Sequence, residues 1–317
     1  MSERIPALNN DGGSDLTNEY EAQLRAYCKG EERARKIEQS LTKSRRFKEN
    51  IFHRFTKAIV EFDMILPGDK IAVCISGGKD SMLMAKLFQE LKRHDKFPFE
   101  LIFLVMDPGY NELNRLMIES NARMMGIPIT VFDISIFDAV YKIEKSPCYL
   151  CARMRRGWLY KKAQELGCNK IALGHHYDDV IETILMGMLW GGQVQTMMPK
   201  LHSTNYEGME LIRPLYYIRE DDIKAWRDYN CLRFLQCACR FTEACDNGTA
   251  DSKRQDTKRL IRELKKSNPH IEANIFNSMH NVNIDTVIAY KKNGVVHHFL
   301  EEYDARDEQT EDKGGAV

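Results

Sequence analysis

The string Ser76-Gly77-Gly78-Lys79-Asp80-Ser81 combines glycines, hydroxyls and a carboxylate between an apolar run and a helical pattern. Paired glycines let the backbone turn tightly and approach a ligand closely. Free N–H groups at a helix start favour an anion, and the serine hydroxyls add donors. Asp80 suits a helix cap or a magnesium ligand. Gly and Ser are also common in ordinary strand–turn–helix connections, but the complete string predicts a phosphate-binding loop.

A second polar string, Gly174-His175-His176-Tyr177-Asp178-Asp179, follows another apolar run. Its two adjacent carboxylates at a helix start fit N-capping alone, or magnesium binding beside a triphosphate. Its adjacent histidines point in different directions, so packing and backbone hydrogen bonding are favoured over zinc binding. Asp107, just after a third apolar run, is a further candidate for lining the site.

The segment Pro147-Cys148-Tyr149-Leu150-Cys151 places two thiols three residues apart at a predicted helix start. Both can bind one metal ion or one face of a cluster. A redox pair, half a zinc site and chance are alternatives, although the thioredoxin-like context of a redox pair is absent. Further thiols follow at Cys231, Cys237, Cys239 and Cys245, so the sequence allows a site with two plus one or two plus two thiolates.

The phosphate-loop string, the second polar string and the cysteine pair are held in place by strands and helices, and short apolar runs rich in β-branched residues predict the strands. They predict strands at residues 70–75, 101–106, 128–134, 170–173 and 211–215, and helical spacing predicts helices at 79–91, 111–125, 152–166, 178–190 and 220–229. Alternating strands and helices predict an α/β fold with a doubly wound, Rossmann-like parallel sheet. Such sheets bind ligands beyond the carboxyl ends of their strands, where both polar strings lie.

The flanking segments divide the chain further. We expect a disordered tail at residues 1–18, a helical segment at 19–62, the nucleotide-binding domain with its cysteine pair at 63–245, a helical appendage at 246–300 and an acidic disordered tail at 301–317. The N-terminal residues lack the apolar core of a secretory signal, and no apolar run is long enough to cross a bilayer. We therefore expect a cytoplasmic protein with no membrane partner.

The amino-acid composition limits the classes of function that the chain can have. The 317 residues include nine cysteines, and without an export signal these favour metal or redox chemistry over a disulfide framework. Cys74 and Cys168 are expected to pack as small apolar groups. The net charge is zero, which argues against a protein that simply coats nucleic acid. Basic runs at 43–57, 153–162 and 253–266 are either solvated helix faces or, since they flank one candidate site, a surface for a polyanion.

The phosphate-loop string matches the Ser-Gly-Gly-x-Asp-Ser pattern of the PP-loop ATP pyrophosphatases, which split ATP between the α and β phosphates to adenylate a substrate. Within that superfamily the chain resembles the tRNA 2-thiocytidine synthetases, the TtcA-like branch, over roughly residues 40–285. The matching segments are 62–65, 68–69, 74–81, 147–157, 170–179, 191–192, 212–215 and 219–220. The Cys-x-x-Cys with Arg155-Arg156-Gly157, together with Gly-His-His-x-Asp-Asp, is the selective part of the resemblance.

This resemblance implies ATP with Mg²⁺, a [4Fe–4S] cluster held by three cysteines with one iron open, and a homodimer. It also implies a cytidine in a tRNA anticodon loop as substrate and sulfur from a cysteine desulfurase or another donor. The ligands that it assigns are Cys148, Cys151 and Cys237, with Cys239 as the alternative third ligand. The Pro of the family's Pro-Cys-Asn-x-Cys-like stretch is missing before Cys237, and Tyr177 stands where Arg is common. These departures concern the RNA target more than the chemistry.

The expected function is ATP-dependent tRNA thiolation, in which the C2 carbonyl of a cytidine is adenylated and its oxygen is replaced by sulfur. We expect Asp80, Arg155 and Asp179 to act in catalysis. The expected nucleotide-binding residues are Ser76, Gly77, Gly78, Lys79, Asp80, Ser81, Asp107, Gly174 and Asp178. The alternatives are a thiolase for another base or a small molecule, and a non-catalytic iron–sulfur or zinc sensor that binds nucleotide. The tRNA lysidine and GMP synthetase branches share the loop but have no need of the cysteine pair.

Overall fold

A six-stranded sheet spans residues 70–212 in a computed structural model that describes residues 31–94, 96–134, 147–235, 249–301 and 303. Its strands are β1 (Lys70–Ile75), β2 (Glu100–Asp107), β3 (Ile129–Asp133), β4 (Lys170–Ala172), β5 (Lys200–His202) and β6 (Glu210–Ile212). The strand order is β3-β2-β1-β4-β6-β5. Every neighbouring pair is parallel except β5 and β6, which are antiparallel.

Helices alternate with these strands. They are α1 (Glu31–Lys43), α2 (Arg45–Phe47), α3 (His53–Glu61), α4 (Lys79–Arg93), α5 (Glu112–Met124), α6 (Pro147–Glu165), α7 (Tyr177–Gly191), α8 (Glu220–Tyr229), α9 (Thr249–Ser267) and α10 (Ile271–Ser278), and a π-helical turn, Lys48–Phe52, joins α2 to α3. The parallel strands are followed in turn by α4, α5, α6, α7 and α8. The predicted α/β fold with a doubly wound sheet is therefore confirmed, with one antiparallel strand at its edge.

Strand β1 lies inside the sheet, where Val73 is paired with Phe103 of β2 on one side and Ala172 of β4 on the other. A strand with parallel neighbours and helices on both faces is apolar along its length, as Ile71–Ile75 are. From β1 the chain winds through β2 and β3 on one side and through β4 and β6 on the other. The winding direction therefore changes between β1 and β4, and the crevice beyond their carboxyl ends is the expected ligand site.

The segment before β1 is helical where the structure describes it. Phe55 of α3 packs edge to face against Phe88 of α4, with ring centroids 5.4 Å apart. Trp226 of α8 is fully buried, and its indole N–H donates to Ser40 Oγ of α1 over 2.9 Å. Helices α1 and α3 therefore pack against helices of the sheet domain.

Two expectations about the strands need correction. The predicted strand at 211–215 ends at Ile212, because the next residues form turns in which Tyr216 N–H donates to Arg213 O and Ile218 N–H donates to Leu215 O. The short strand β5 was not predicted. It has only three residues, and its burial is too slight to produce an apolar pattern.

The chain divides into two compact units, of which the second begins at Ile261. Besides the end of α9 and α10, it contains a hairpin of β7 (Ala289–Lys292) and β8 (Val295–His298). The expectation of a helical appendage at 246–300 is therefore wrong at this hairpin. Asn293 and Gly294 have φ angles of 51° and 84°, as a two-residue type I′ turn requires, and Asn-Gly is the sequence signal for that turn.

Within the described residues, no helix has both the length and the apolar character needed to cross a membrane.

Candidate nucleotide-binding site

The loop between β1 and α4 is shaped by Gly77. Its φ angle is +82°, a conformation that L side chains rarely adopt. A Cβ built at Gly77 would lie 2.5 Å from Ile118 Cγ1 and 3.0 Å from Leu235 Cδ1. Glycine is therefore required here both by the backbone and by the space around it.

Gly78 is the N-cap residue of α4, and no side chain caps this helix start within the described chain. The two serines of the loop bond to the loop itself. Ser76 N–H donates to Ser81 Oγ over 3.1 Å, and the Ser81 hydroxyl donates to Gly78 O over 3.0 Å. The loop is thus held in shape without a side chain over the end of the helix, which leaves the positive end of the helix dipole for an anion.

A cavity of about 350 Å³ opens beside this loop, at the carboxyl ends of β1 and β4. Its lining residues are Cys74, Ile75, Ser76, Asp80, Ser81, Met106, Arg155, Arg156, Leu159, Leu173, Gly174, His175 and Asp179. The predicted phosphate loop, the second polar string and the middle of α6 therefore share one cavity.

Gly174 brings the two polar strings together. A Cβ at this position would lie 3.2 Å from Ser81 N and 3.3 Å from Asp80 C. Both atoms belong to the backbone at the start of α4, which cannot yield as a flexible side chain would. Glycine at position 174 therefore allows the two loops to pack closely, and Gly174 also lines the cavity.

The adjacent acids Asp178 and Asp179 have different roles. Asp178 accepts from Glu220 N–H over 2.7 Å and from the Arg219 guanidinium over 3.1 Å, so it caps α8 instead of lining the cavity. Asp179 lines the cavity and accepts from His176 N–H over 3.0 Å. Burial opposes its ionisation, but the charges of His176 and Arg254 and this N–H hold the pKa of Asp179 below its usual value.

Asp80 offers an oxygen to a ligand. Its Oδ1 is buried and has no hydrogen-bond partner among the described residues, whereas Oδ2 lies 3.1 Å from Lys79 Nζ. Lys79 also lies 3.0 Å from Glu220 Oε1. Burial alone would lower the pKa of Lys79, but Asp80 and Glu220 raise it. Lys79 is therefore a charged residue tied to α8 and is not among the residues that line the cavity.

The structure does not bring Asp107 into the cavity. Its Oδ1 accepts from Gly109 N–H and Tyr110 N–H over 2.9 and 2.7 Å. Its Oδ2 accepts from Arg115 over 3.1 Å. These bonds shape the turn after β2, so the contacts of Asp107 are structural.

His175 and His176 are packed between the two loops, as the sequence favoured. His176 is 5% exposed, and His175 lines the cavity with a buried Nδ1 that has no partner in the described chain. Burial, followed by the charge of Arg213, lowers the pKa of His175 to about 4. His175 is therefore neutral near pH 7. No group of three His, Cys, Asp or Glu side chains among the described residues is arranged to hold a metal ion.

Helix α6 contributes cations to the opposite wall. Arg155 and Arg156 line the cavity, and Arg155 Nη2 donates to the Tyr110 hydroxyl over 3.4 Å. Arg213, to which the sequence assigned no role, directly follows β6 and is 6% exposed, and it is not among the residues that line the cavity.

A feature that sequence reasoning missed connects α9 to the site. Arg254 donates to Glu182 Oε2 over 2.9 Å and to Asp179 Oδ1 over 3.2 Å. Lys258 lies 3.6 Å from Glu182 Oε1. Part of the basic run at 253–266 is thus neutralised by acids of α7.

The structure places the cysteines in different environments. Cys74 and Cys168 are buried in the core, as expected, and burial raises the pKa of Cys74 to about 12 and that of Cys168 to about 11. Cys231 is exposed and lies at a turn, where its φ is 50°. Cys148 and Cys151 lie in the first turns of α6, but their side chains are outside the described part of the structure. Cys237 and Cys239 lie wholly outside it.

The residues just before Cys237 are described, and they contact the phosphate loop. Leu235 N–H donates to Gly77 O over 3.3 Å. Asn121, which is buried in α5, donates to Arg233 O over 2.8 Å. The irregular segment before Cys237 is thus bonded to the phosphate loop at Leu235 and to α5 at Arg233.

Comparisons with known proteins agree with this geometry. The PP-loop domain family matches residues 47–239. The tRNA-cytidine(32) 2-sulfurtransferase of Citrifermentans bemidjiense is 36% identical over 236 residues, which cover 73% of this chain and 90% of that protein. The protein of the same name from Anaeromyxobacter dehalogenans is 32% identical over 279 residues, covering 85% and 92%.

Among solved structures, the U34-tRNA thiolase NcsA of Methanococcus maripaludis, with its [4Fe–4S] cluster, is similar with a TM-score of 0.58. It is 21% identical, and the match covers 76% of this chain and 83% of that chain. At that identity the likeness shows a shared fold.

The glycine loop follows β1, and the second polar string follows β4, the strand beside it. The winding direction of the sheet changes between these two strands. This arrangement defines a nucleotide-binding protein of the PP-loop class. The sequence comparisons are more specific. The chain belongs to the PP-loop domain family and, within it, to the tRNA-cytidine(32) 2-sulfurtransferases.

Proposed function

We propose that this protein is an ATP-dependent tRNA sulfurtransferase that converts a cytidine of the anticodon loop to 2-thiocytidine. The names of its relatives support the reaction and the RNA substrate. The observation that carries the proposal is the single cavity in which Ser76, Asp80 and Asp179 face Arg155 of α6. The cysteine pair lies at the start of that same helix. Nucleotide activation and the proposed sulfur chemistry would thus use residues of the same helix.

The reaction needs activation because a carbonyl oxygen is a poor leaving group. Attack of the C2 oxygen on the α-phosphate of ATP forms a C2–O–P bond and releases pyrophosphate. Sulfur then bonds to C2, and the C2–O bond breaks as AMP leaves with the original oxygen. Within this scheme the phosphate loop holds the departing pyrophosphate, and Arg155 stabilises the charge that develops on the phosphate. Holding base and nucleotide in contact is a positioning task.

The described residues fit Mg²⁺. Magnesium is commonly bound by one or two carboxylates together with substrate phosphates. Asp80 presents a buried oxygen that accepts no hydrogen bond from the described residues, although His176 Nε2 lies 3.8 Å away, and Asp179 lines the same cavity. We therefore assign Asp80 and Asp179 as the residues that would hold the ion, while Asp178 supports them by fixing α8.

The donor set also fits an iron–sulfur cluster. Cys148 and Cys151 share the first turns of α6, and the described chain ends at the phosphate loop two residues before Cys237. We propose these three thiolates as ligands, with Cys239 not required. A [4Fe–4S] cluster bound in this way would supply an open iron for sulfide. The remaining partners that we propose are a cysteine desulfurase or another sulfur donor, a second copy of the chain as a homodimer, and a cytoplasmic location.

Surface charge supports a role for Arg153 and Lys253 in tRNA binding. Both are exposed cations. Arg153 belongs to the basic run inside the nucleotide-binding domain, which we place at residues 63–245, and Lys253 to the run that follows that domain. RNA loops present splayed bases that an enzyme of this kind can reach. Phosphate contacts of such cations position the RNA without reading its sequence.

Nucleoside mass spectrometry of tRNA from cells with and without the gene tests the function. We expect 2-thiocytidine to disappear without the gene, to return with the wild-type gene and to stay absent with Asp80→Asn. An unchanged 2-thiocytidine content in the deletion strain would refute the proposal. A modified uridine or another base lost in its place would favour the alternative thiolase, and no change in any nucleoside would favour the nucleotide-binding sensor.

A further inference from the structure

Helix α9 is attached to α7 by cations that contact a buried carboxylate. Glu182 of α7 is 3% exposed. Arg254 Nε donates to its Oε2 over 2.9 Å, and Lys258 Nζ lies 3.6 Å from its Oε1. Burying a carboxylate is costly unless cations and hydrogen bonds compensate it. The packing of α9 on α7 therefore explains these contacts of Glu182 by itself.

Arg254 extends past Glu182 to the nucleotide site. Its Nη2 donates to Asp179 Oδ1 over 3.2 Å, and Asp179 lines the cavity. Asp179 and Glu182 are three residues apart on α7, so they lie on one face of the helix. One guanidinium, whose planar fork can bond two acceptors at once, thus bridges a carboxylate of the cavity and a carboxylate of the helix packing. The packing requires the bond to Glu182, but it does not require the bond to Asp179.

The Asp179 carboxylate is held at both of its oxygens. Its Oδ2 accepts from His176 N–H over 3.0 Å, and its Oδ1 accepts from Arg254. An ionised carboxylate has about four lone-pair sites, and these two hydrogen bonds use one on each oxygen. Both oxygens therefore keep a lone pair for a ligand, while the direction of the group is set by its two donors.

From these contacts we infer that Arg254 is a positioning residue for Mg²⁺, which orients Asp179 as a ligand of the ion. The inference rests on the proposed function, in which Asp80 and Asp179 would hold the ion. Protein groups that bond to a metal ligand fix its orientation, and their loss weakens metal binding. The bond to Glu182 serves the same end, because it anchors the guanidinium that holds Asp179.

Two other roles for Arg254 fit these contacts less well. Arg254 is not among the described residues that line the cavity, which argues against direct contact with the nucleotide. It belongs to the basic run at 253–266, but two of its three guanidinium nitrogens are bonded to acids of α7. These bonds compensate its charge and make it a poor partner for an RNA phosphate. Action through Asp179 is therefore the favoured role.

Calorimetric titration of the full chain, purified without oxygen, with ATP tests this role. Each protein is measured with Mg²⁺ and again with EDTA, and the ratio of the two ATP affinities is the gain due to Mg²⁺. We expect Arg254→Gln to lower this gain by about tenfold or more and to leave the ATP affinity in EDTA at the wild-type value. Arg254→Lys should have an intermediate gain, since an ammonium supplies the charge without the two-point fork.

Arg259→Gln is the matched control. Arg259 is an arginine of the same helix with a 73% exposed side chain, and it is paired with Asp256 of α9. The gain due to Mg²⁺ in this variant should equal that of the wild type.

A double variant tests whether Arg254 acts through Asp179. Asp179→Asn should lower the gain due to Mg²⁺ by itself. Adding Arg254→Gln to that variant should lower the gain no further, because the residue that Arg254 orients is already lost. Additive losses in the double variant would overturn the inference.

Single variants and the wild type can also overturn it. Contrary results are a gain in Arg254→Gln equal to that of the wild type, a larger gain, as competition between Arg254 and the ion would give, and an equal loss of ATP affinity with Mg²⁺ and with EDTA. A wild-type ATP affinity that does not depend on Mg²⁺ is likewise contrary. If Arg254→Gln does not fold, a wild-type gain in Arg254→Lys would overturn the inference. No RNA or sulfur takes part in these titrations, so a protein that shows the expected pattern but makes no 2-thiocytidine would refute the proposed function and leave the role of Arg254 standing.

Discussion

The main-chain N–H of Leu235 donates a hydrogen bond to the carbonyl oxygen of Gly77 over 3.3 Å. This bond joins the phosphate loop to the segment that leads, two residues later, to Cys237. Any group bound by that cysteine is therefore coupled to the loop that binds ATP. The bond gives a structural reason for nucleotide activation and sulfur chemistry to depend on one another.

Anaerobic reconstitution of cysteine variants tests the cluster ligands. Cys148→Ala, Cys151→Ala and Cys237→Ala should each lose the iron and the visible absorbance of a cluster, because a cubane with one open iron needs three thiolates. Cys239→Ala should retain both and serves as the matched control. If Cys239→Ala alone loses the cluster, the third ligand is assigned wrongly. Full zinc occupancy without iron in all four variants would refute the iron–sulfur assignment.

The two glycines of the loop should respond differently to substitution. Gly78 has an extended backbone, with φ −79° and ψ 163°, which valine adopts readily. A Cβ there meets nothing closer than 3.6 Å. Gly78→Val should therefore keep the thermal stability and the cluster while losing ATP binding, because the side chain projects where phosphate approaches the backbone. An ATP affinity equal to that of the wild type, measured by calorimetry, would refute the assignment of this loop to phosphate binding.

Gly77→Ala provides the contrast. Its positive φ and the approach of a Cβ to within 2.5 Å of Ile118 should destabilise the protein by about 1–3 kcal/mol, even without nucleotide. Denaturant unfolding measures this loss. Equal stability of Gly77→Ala and the wild type would show that the loop does not hold Gly77 at a positive φ.

Salt dependence should identify the RNA-binding surface. We expect tRNA affinity to fall with salt, and Arg153→Glu or Lys253→Glu to lower the slope by about one unit for each phosphate that the variant no longer neutralises. Lys253 is a better test than Lys265 or Lys266, which are paired with Glu272 and Glu263. The control is Lys96→Glu, since Lys96 is an exposed cation between α4 and β2, at the opposite edge of the sheet. Identical slopes in all variants would exclude these cations from the interface.

The stability of the protein should fall in acid partly because of His175. The unfolded state takes up a proton at this residue below its ordinary pKa of 6.5, whereas the folded state resists until about pH 4. Unfolding free energy is therefore lost as the pH decreases from 6.5 to 4, by up to about 3 kcal/mol from this group. His175→Gln should lose correspondingly less over that range. His202→Gln, at a histidine side chain that is 85% exposed, should follow the wild-type curve, and parallel curves for all three proteins would contradict the burial of His175.

Some of this structure follows directly from sequence patterns. The five parallel strands could be predicted because each is a short apolar run bounded by turn residues, and Gly77 because its neighbours form a specific string. The position of Arg213 beyond the end of its strand could not be predicted. Arg213 continues the apolar run Leu211–Ile212, and only the turn after β6 shows that the strand has ended before it.

The aspartates after the strands show a second limit of prediction from sequence. Asp80, Asp107, Asp178 and Asp179 all follow strands at the same sheet edge, and each could be a cap or a ligand from its position alone. Nearby N–H groups decide between these roles. Asp107 and Asp178 receive short backbone hydrogen bonds from Tyr110 and Glu220, whereas Asp80 keeps a buried oxygen that accepts no hydrogen bond in the described chain. Such differences depend on the three-dimensional course of the loops and are not encoded in residue spacing.

The most direct test of the proposed reaction combines purified protein, prepared without oxygen and with its cluster, with ATP, Mg²⁺, sulfide and unmodified tRNA. We predict that 2-thiocytidine appears in the tRNA, that AMP and pyrophosphate form in equal amounts with it, and that Asp80→Asn abolishes both. AMP formation that does not require tRNA, or tRNA that acquires no 2-thiocytidine while ATP is consumed, would contradict ATP-dependent thiolation of tRNA by this protein.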